Sequence, residues 1–156
     1  MQTNTLLHCR VSSARNIHVG RCRNITMQCL ITGGAGFIGS HLLQRLLADG
    51  HHVRILDDFS TGHRHNLSLS MQQQGFPDRL DIIEGDIRNT KTCLLASRDC
   101  SHVFHLAAQT SVPASIDNPR LTFDINVSGF ENILDACIVN KVQQFVYSSS
   151  SAVYGR

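Results

Sequence analysis

The sequence predicts a doubly wound α/β domain built on a parallel sheet, and three observations carry that prediction. From Met27 onward, short apolar runs alternate with stretches of helical periodicity. A glycine-rich junction at residues 33–39 joins the first apolar run to the first helical one, and Asp57 closes the second run. Parallel neighbours need a crossover, normally a helix, so the alternation implies helices on both faces of the sheet. Ligands of such sheets bind beyond the carboxyl ends of the strands, near the point where strand order reverses.

Taken in order, "QCLIT" (28–32) reads as the first strand, apolar and bounded by turn residues. Phe37 to Asp49 reads as a helix with Ile38, Leu42, Leu43, Leu46 and Leu47 along one face, and Gly50 is a suitable stop. "HHVRILD" (51–57) is the second strand. Residues 60–78 are polar and broken by Gly75-Phe76-Pro77, which predicts a loop with a short irregular helix. "RLDIIE" (79–84) is the third strand, Thr90 to Ser97 a short helix, and "SHVFHLA" (101–107) the fourth strand. Pro119 to Asn140 is the longest helical stretch, with Pro at the first turn and Ile125, Ile133, Leu134 and Cys137 as buried candidates. "QQFVYSS" (143–149) is the fifth strand.

Composition excludes several function classes. At 156 residues and 42% hydrophobic, the chain suits one domain with a core. No apolar run approaches the roughly 18 residues of a membrane span, so no membrane partner is expected. The first 26 residues carry Arg10, Arg15, Arg21 and Arg23 and no acid. Without them, ten basic residues face twelve acidic ones, a net of −2. No basic stripe suggests a nucleic-acid partner. Residues 1–26 read either as a transit peptide or as an extension upstream of a natural start at Met27; we favour the second, and expect the segment to be disordered and without chemistry. Six scattered cysteines lack metal-site spacing and read as buried thiols of a reducing, cytoplasmic compartment. The paired histidines His51-His52 and His63-x-His65 read as surface residues, and no metal is expected.

The glycines can be read as Gly34-x-Gly36-x-x-Gly39 or as Gly33-x-x-Gly36-x-x-Gly39. Either register puts bare backbone at a strand-to-helix turn, where helix N–H groups can receive a pyrophosphate. Asp57 follows Gly39 by 18 residues, near the spacing of about 20 at which a carboxylate meets the adenosine ribose. A carboxylate there repels a 2′-phosphate, so NAD is expected over NADP. Asp58 is the neighbouring candidate, although strand alternation should aim only one of the pair at the ligand. Arg64 is the nearby cation that could favour NADP.

From Met27 to Arg156 the chain resembles the extended short-chain dehydrogenase/reductase family, the nucleotide-sugar epimerases and dehydratases. The matching pieces stand in order: "TGGAGFIGSHL" (32–42), "LDDFSTG" (56–62), "EGDIRN" (84–89), "FHLAAQTSVPAS" (104–115), "DINVSGFENIL" (124–134) and "FVYSSSSAVYG" (145–155). The resemblance implies a Rossmann sheet with Gly33, Gly36, Phe37, Ile38 and Gly39 at the NAD pyrophosphate and Asp57, beside Asp58, at the ribose. It implies Asp86 and Ile87 at the adenine, and Leu106, Ala107 and Ala108 beneath the cofactor. Asn126 would steady the active-site backbone, Ser148 would meet the nicotinamide end, and Ser150 would hydrogen-bond the sugar oxygen being oxidised. Ser111 and Val112 would lie near the sugar.

The family takes the hydroxyl proton with a Tyr-x-x-x-Lys pair, which is absent: Tyr147 is followed four places on by Ser151, and the only lysines are Lys91 and Lys141. We therefore read the chain as an N-terminal piece truncated after about five strands, without its substrate lobe. Unaided, it should bind cofactor weakly and turn nothing over. Dehydratases carry an acid after the catalytic hydroxyl, where this chain has Ser151 and Ala152. The resemblance thus favours a 4-epimerase of UDP-hexoses or UDP-N-acetylhexosamines, a homodimer when full length. A non-catalytic NAD-binding module and a nucleotide-sugar dehydratase or ketoreductase stay open.

Overall fold

The computed structural model describes residues 26–72 and 76–155. The predicted extension, apart from Thr26, lies outside the described residues, as do Cys9 and Cys22. The sheet contains β1 (Gln28–Thr32), β2 (His52–Asp57), β3 (Leu80–Glu84), β4 (His102–His105) and β5 (Gln144–Tyr147). Their order is β3-β2-β1-β4-β5, and every pairing is parallel. All five predicted strands are present, and each ends within about two residues of its expected bounds.

Central β1 is apolar on both faces because both are covered. Cys29 and Ile31 join Leu43, Leu47, Val53, Ile55 and Leu67 in one cluster, while Leu30 joins Leu56, Cys93, Val103, Ile133 and Ala136 in the other. That alternation follows the two-residue period of a strand. The first face is covered by α1 (Phe37–Ala48) and α2 (His65–Gln72), the second by α3 (Thr90–Ser97) and α6 (Gly129–Val139). Each fully buried Leu or Ile contributes about 1.5–3 kcal/mol relative to exposure.

The helix α1 begins directly after Gly36 without a side-chain cap. At its other end the N–H of Asp49 bonds Arg45 O and Gly50 turns the chain at φ +92°. Leu43, Leu46 and Leu47 are buried as the periodicity predicts, but Ile38 is 61% exposed. It sits on the first turn, which projects past the sheet toward the cavity described below. The α2 helix is more regular than expected for this polar segment. Asn89 caps α3, its Oδ1 accepting from Lys91 N and Thr92 N.

The stretch 112–118, to which the sequence reading gave no element, holds a further helix, α4 (Val112–Asp117). The long predicted helix divides into α5 (Pro119–Phe123), a π-helical turn over Asp124–Ser128, and α6. Of its buried candidates, Ile133 and Cys137 are buried, whereas Ile125 and Leu134 are half-buried. Cys29, Cys93, Cys100 and Cys137 are buried free thiols. Burial pushes Cys137 up to about 12 and the other three to about 11, so they stay protonated.

Candidate functional site

Strand order reverses between β1's neighbours β2 and β4, and there, at the carboxyl ends, lies a cavity of about 1140 Å³. Every residue to which the resemblance gives a role borders it. The glycine loop is one wall. Gly33 has φ +71°, and a β-carbon on it would lie 2.7 Å from Ala107 N. A β-carbon on Gly39 would press into the backbone of Gly33. Side chains are thus barred where the chain turns from β1 into α1, leaving uncapped helix N–H groups facing open space.

Asp57 forms the next wall and is 7% exposed. Its Oδ2 accepts from Ala35 N at 2.8 Å and its Oδ1 from Phe59 N at 2.9 Å. The carboxylate therefore ties the end of β2 to the glycine loop and keeps lone pairs for a ligand hydroxyl. Asn66 Nδ2 donates to Ala35 O at 2.7 Å, fixing the same residue from the other side. Asp58 is exposed and accepts from Ser60 N and Ser60 Oγ at 2.9 and 2.6 Å. Both aspartates border the cavity, because the strand ends at Asp57 and alternation no longer governs Asp58. Arg64 is engaged elsewhere: it pairs with Glu84 and lies 4.1 Å over the Phe59 ring.

Asp86 and Ile87 stand at the exit of β3. The Arg88 guanidinium bonds Asp86 Oδ2, and Arg88 N donates to Oδ1 at 2.7 Å. Those bonds, the side-chain one foremost, hold the Asp86 carboxyl below the usual carboxylate range. Sequence reasoning passed over Arg88, although the acid–x–base spacing of "DIR" was a usable signal. Among the residues bordering the cavity, the charged ones are Asp57, Asp58 and Asp86, all acidic.

The exit of β4 forms the floor, with Leu106, Ala107 and Ala108. His105, also unpredicted, is 7% exposed and borders the cavity. Its signal was a histidine within an apolar strand. Asn126, on the π-helical turn, clamps the chain beyond this floor: its Oδ1 accepts from Gln109 N at 2.8 Å and its Nδ2 donates to Gln109 O at 3.0 Å. Such turns recur at functional sites because the extra residue re-aims a side chain. Ser111 caps α4, accepting from Ala114 N at 3.3 Å, and Val112 is 68% exposed. Ser148 and Ser150 follow β5 at the rim, both exposed.

Among the described residues no group of His, Cys, Asp and Glu could hold a metal, and no helix is long and apolar enough to cross a membrane. The site offers an amide cradle for a pyrophosphate, carboxylates for hydroxyl or amino groups, and hydroxyls at the far rim.

Known proteins are similar to this chain in sequence and fold. The sequence profile of the family described as GDP-mannose 4,6 dehydratase matches residues 30–156. A UDP-glucose 4-epimerase of Mycolicibacterium smegmatis is 43% identical over 131 residues, 83% of this chain and 41% of that protein. The UDP-N-acetylglucosamine 4-epimerase of Methanobrevibacter ruminantium M1, solved with UDP-N-acetylmuramic acid, superposes with a TM-score of 0.74 at 35% identity, over 83% of this chain and 40% of that one. The UDP-glucose 4-epimerase of Thermus thermophilus, solved in complex with NAD, superposes with a TM-score of 0.69 at 39% identity, over 80% of this chain and 38% of that one. The chain thus spans about two fifths of the length of these relatives. With a family profile covering most of its length, and a parallel sheet whose glycine loop and acidic strand end meet at one cavity, the chain belongs to the GDP-mannose 4,6 dehydratase family of the extended short-chain dehydrogenase/reductases.

Proposed function

We propose that this chain is the NAD-binding part of a UDP-sugar 4-epimerase acting on UDP-hexoses or UDP-N-acetylhexosamines. The observation that carries the reading is the convergence of the glycine cradle, Asp57, Asp86 and the serine rim on one cavity. The cradle fits a dinucleotide: a β-carbon at Gly33 would strike the Ala107 backbone and one at Gly39 the Gly33 backbone, so only glycine keeps this turn tight and brings the α1 N-terminus to the cavity. NAD, when bound, supplies the hydride acceptor and donor for the sugar carbon.

The chain's own residues bind and orient. Gly33, Gly36, Phe37, Ile38 and Gly39 hold the pyrophosphate, and Asp57 accepts from the ribose hydroxyls while keeping Ala35 in place. Asp58 adds negative charge beside it. Asp86 accepts from the adenine amino group against the apolar wall of Ile87. Leu106, Ala107 and Ala108 support the nicotinamide end, where Ser148 lies, and Asn126 steadies that floor through Gln109. Ser150 donates to the oxygen at the reacting sugar carbon, with Ser111 and Val112 beside the ring. The 156 residues contain no Tyr-x-x-x-Lys, so removal of the hydroxyl proton is assigned to none of them. A second reading is a non-catalytic NAD-binding module, which would use the same glycine cradle and Asp57.

Calorimetric titration tests the cofactor. NAD should bind at least about tenfold more tightly than NADP, because among the described residues three carboxylates and no cation border the cavity. Tighter NADP binding overturns the assignment. Incubation of the open reading frame's full product with UDP-glucose and UDP-N-acetylglucosamine separates the two readings: epimerised sugar supports the enzyme, and bound NAD without product supports the module.

A further inference from the structure

Thr32 and His105 end β1 and β4 beneath the cavity, 0% and 7% exposed. His105 Nδ1 lies 2.9 Å from Thr32 Oγ1. The same oxygen accepts from Ala107 N at 3.3 Å and shares Leu106 N, 3.2 Å away, with the Thr32 backbone carbonyl, to which that N–H donates at 3.0 Å. A hydroxyl has one hydrogen and two lone pairs. With Ala107 N and the shared Leu106 N both on its lone-pair side, the hydroxyl keeps its hydrogen for Nδ1, which places the ring proton on Nε2. An imidazolium would instead bring a third donor to that oxygen.

The surroundings agree with a neutral ring. Phe130 of α6 meets it edge-on at 5.5 Å and Phe145 of β5 stacks on it at 6.0 Å. Tyr147, which packs on Phe130, is the other ionisable side chain of this cluster. Burial alone pushes the imidazole down to about 4.

We propose that Thr32 and His105 are a positioning pair for the cofactor floor: His105, fixed as its Nε2–H tautomer, orients the Thr32 hydroxyl, which anchors the Leu106–Ala107 peptide. That peptide packs against Gly33 so closely that a β-carbon there would lie 2.7 Å from Ala107 N. The pair therefore sets the spacing between the glycine loop and the exit of β4. Neither side chain needs to touch the reacting atoms, and both act through backbone.

Histidine side-chain nitrogen NMR on the unmodified chain tests the tautomer without a ligand. His105 should show an acceptor Nδ1 and a protonated Nε2, unchanged from pH 8 to pH 5. An Nδ1–H tautomer, or an imidazolium at pH 6, overturns the proposal. The affinity arm rests on the NAD reading above. Thr32→Val should weaken NAD binding about tenfold, the loss of roughly one strong hydrogen bond's worth of positioning, while Thr32→Ser should stay within about twofold of the parent. Equal losses in both variants, or none in Thr32→Val, overturn the positioning role. If the parent binds no NAD at all, the functional reading fails, and the NMR arm still decides the tautomer.

Discussion

Asp86 carries a charge whose state is set by one neighbour. Its carboxyl is 30% exposed and the Arg88 guanidinium bonded to it is 41% exposed. The Arg88 hydrogen bond, foremost, holds the folded carboxyl below the ordinary carboxylate range. A depressed carboxylate contributes stability that is present above its unfolded pKa and is lost as pH falls through the folded one. Arg88→Ala should therefore return Asp86 toward the ordinary carboxylate range, followed by carboxyl-carbon NMR titration. The stability gap between parent and variant should be seen at neutral pH, shrink in high salt, and close at a pH below the folded value. At this scale the family resemblance marked Asp86, through "EGDIRN" (84–89). It could not show that the acid would fold back on Arg88, since that depends on the local turn.

The segment from Pro119 to Val139 shows what periodicity misses at the level of an element. Its apolar residues recur as in an α-helix, so it reads as one rod. The π-helical turn over Asp124–Ser128 inserts an extra residue, and its Asn126 makes two hydrogen bonds to the Gln109 backbone. Asn126→Ala should cost about 1 kcal/mol by thermal denaturation, the value of modest exposed hydrogen bonds. Amide exchange at Gln109 and Ser111 should quicken, with the sheet amides unchanged. Unaltered exchange there would mean that the clamp holds nothing. The α4 helix escaped notice for another reason: six residues with a proline at the second position are too few to display a period. The five strands were legible because each is a continuous or alternating apolar run bounded by turn residues.

Across the whole molecule, the described sheet leaves β5 paired on one side only. Val146 is 50% exposed and Tyr147 58% exposed. An apolar, parallel edge is a template for association. The 156-residue chain should therefore scatter light increasingly with concentration. Val146→Lys should suppress that rise while leaving NAD titration unchanged within about twofold, since Val146 does not border the cavity. The α/β alternation, the glycine turn and the carboxylate that follows it were all legible in the linear sequence, because they are consequences of local sterics, periodicity and charge. Tertiary packing alone settled that Asp57 and Asn66 hold Ala35 and that Thr32 meets His105 across 73 residues of chain. Those contacts depend on which strands become neighbours, and strand order is fixed by packing two helical layers on one sheet.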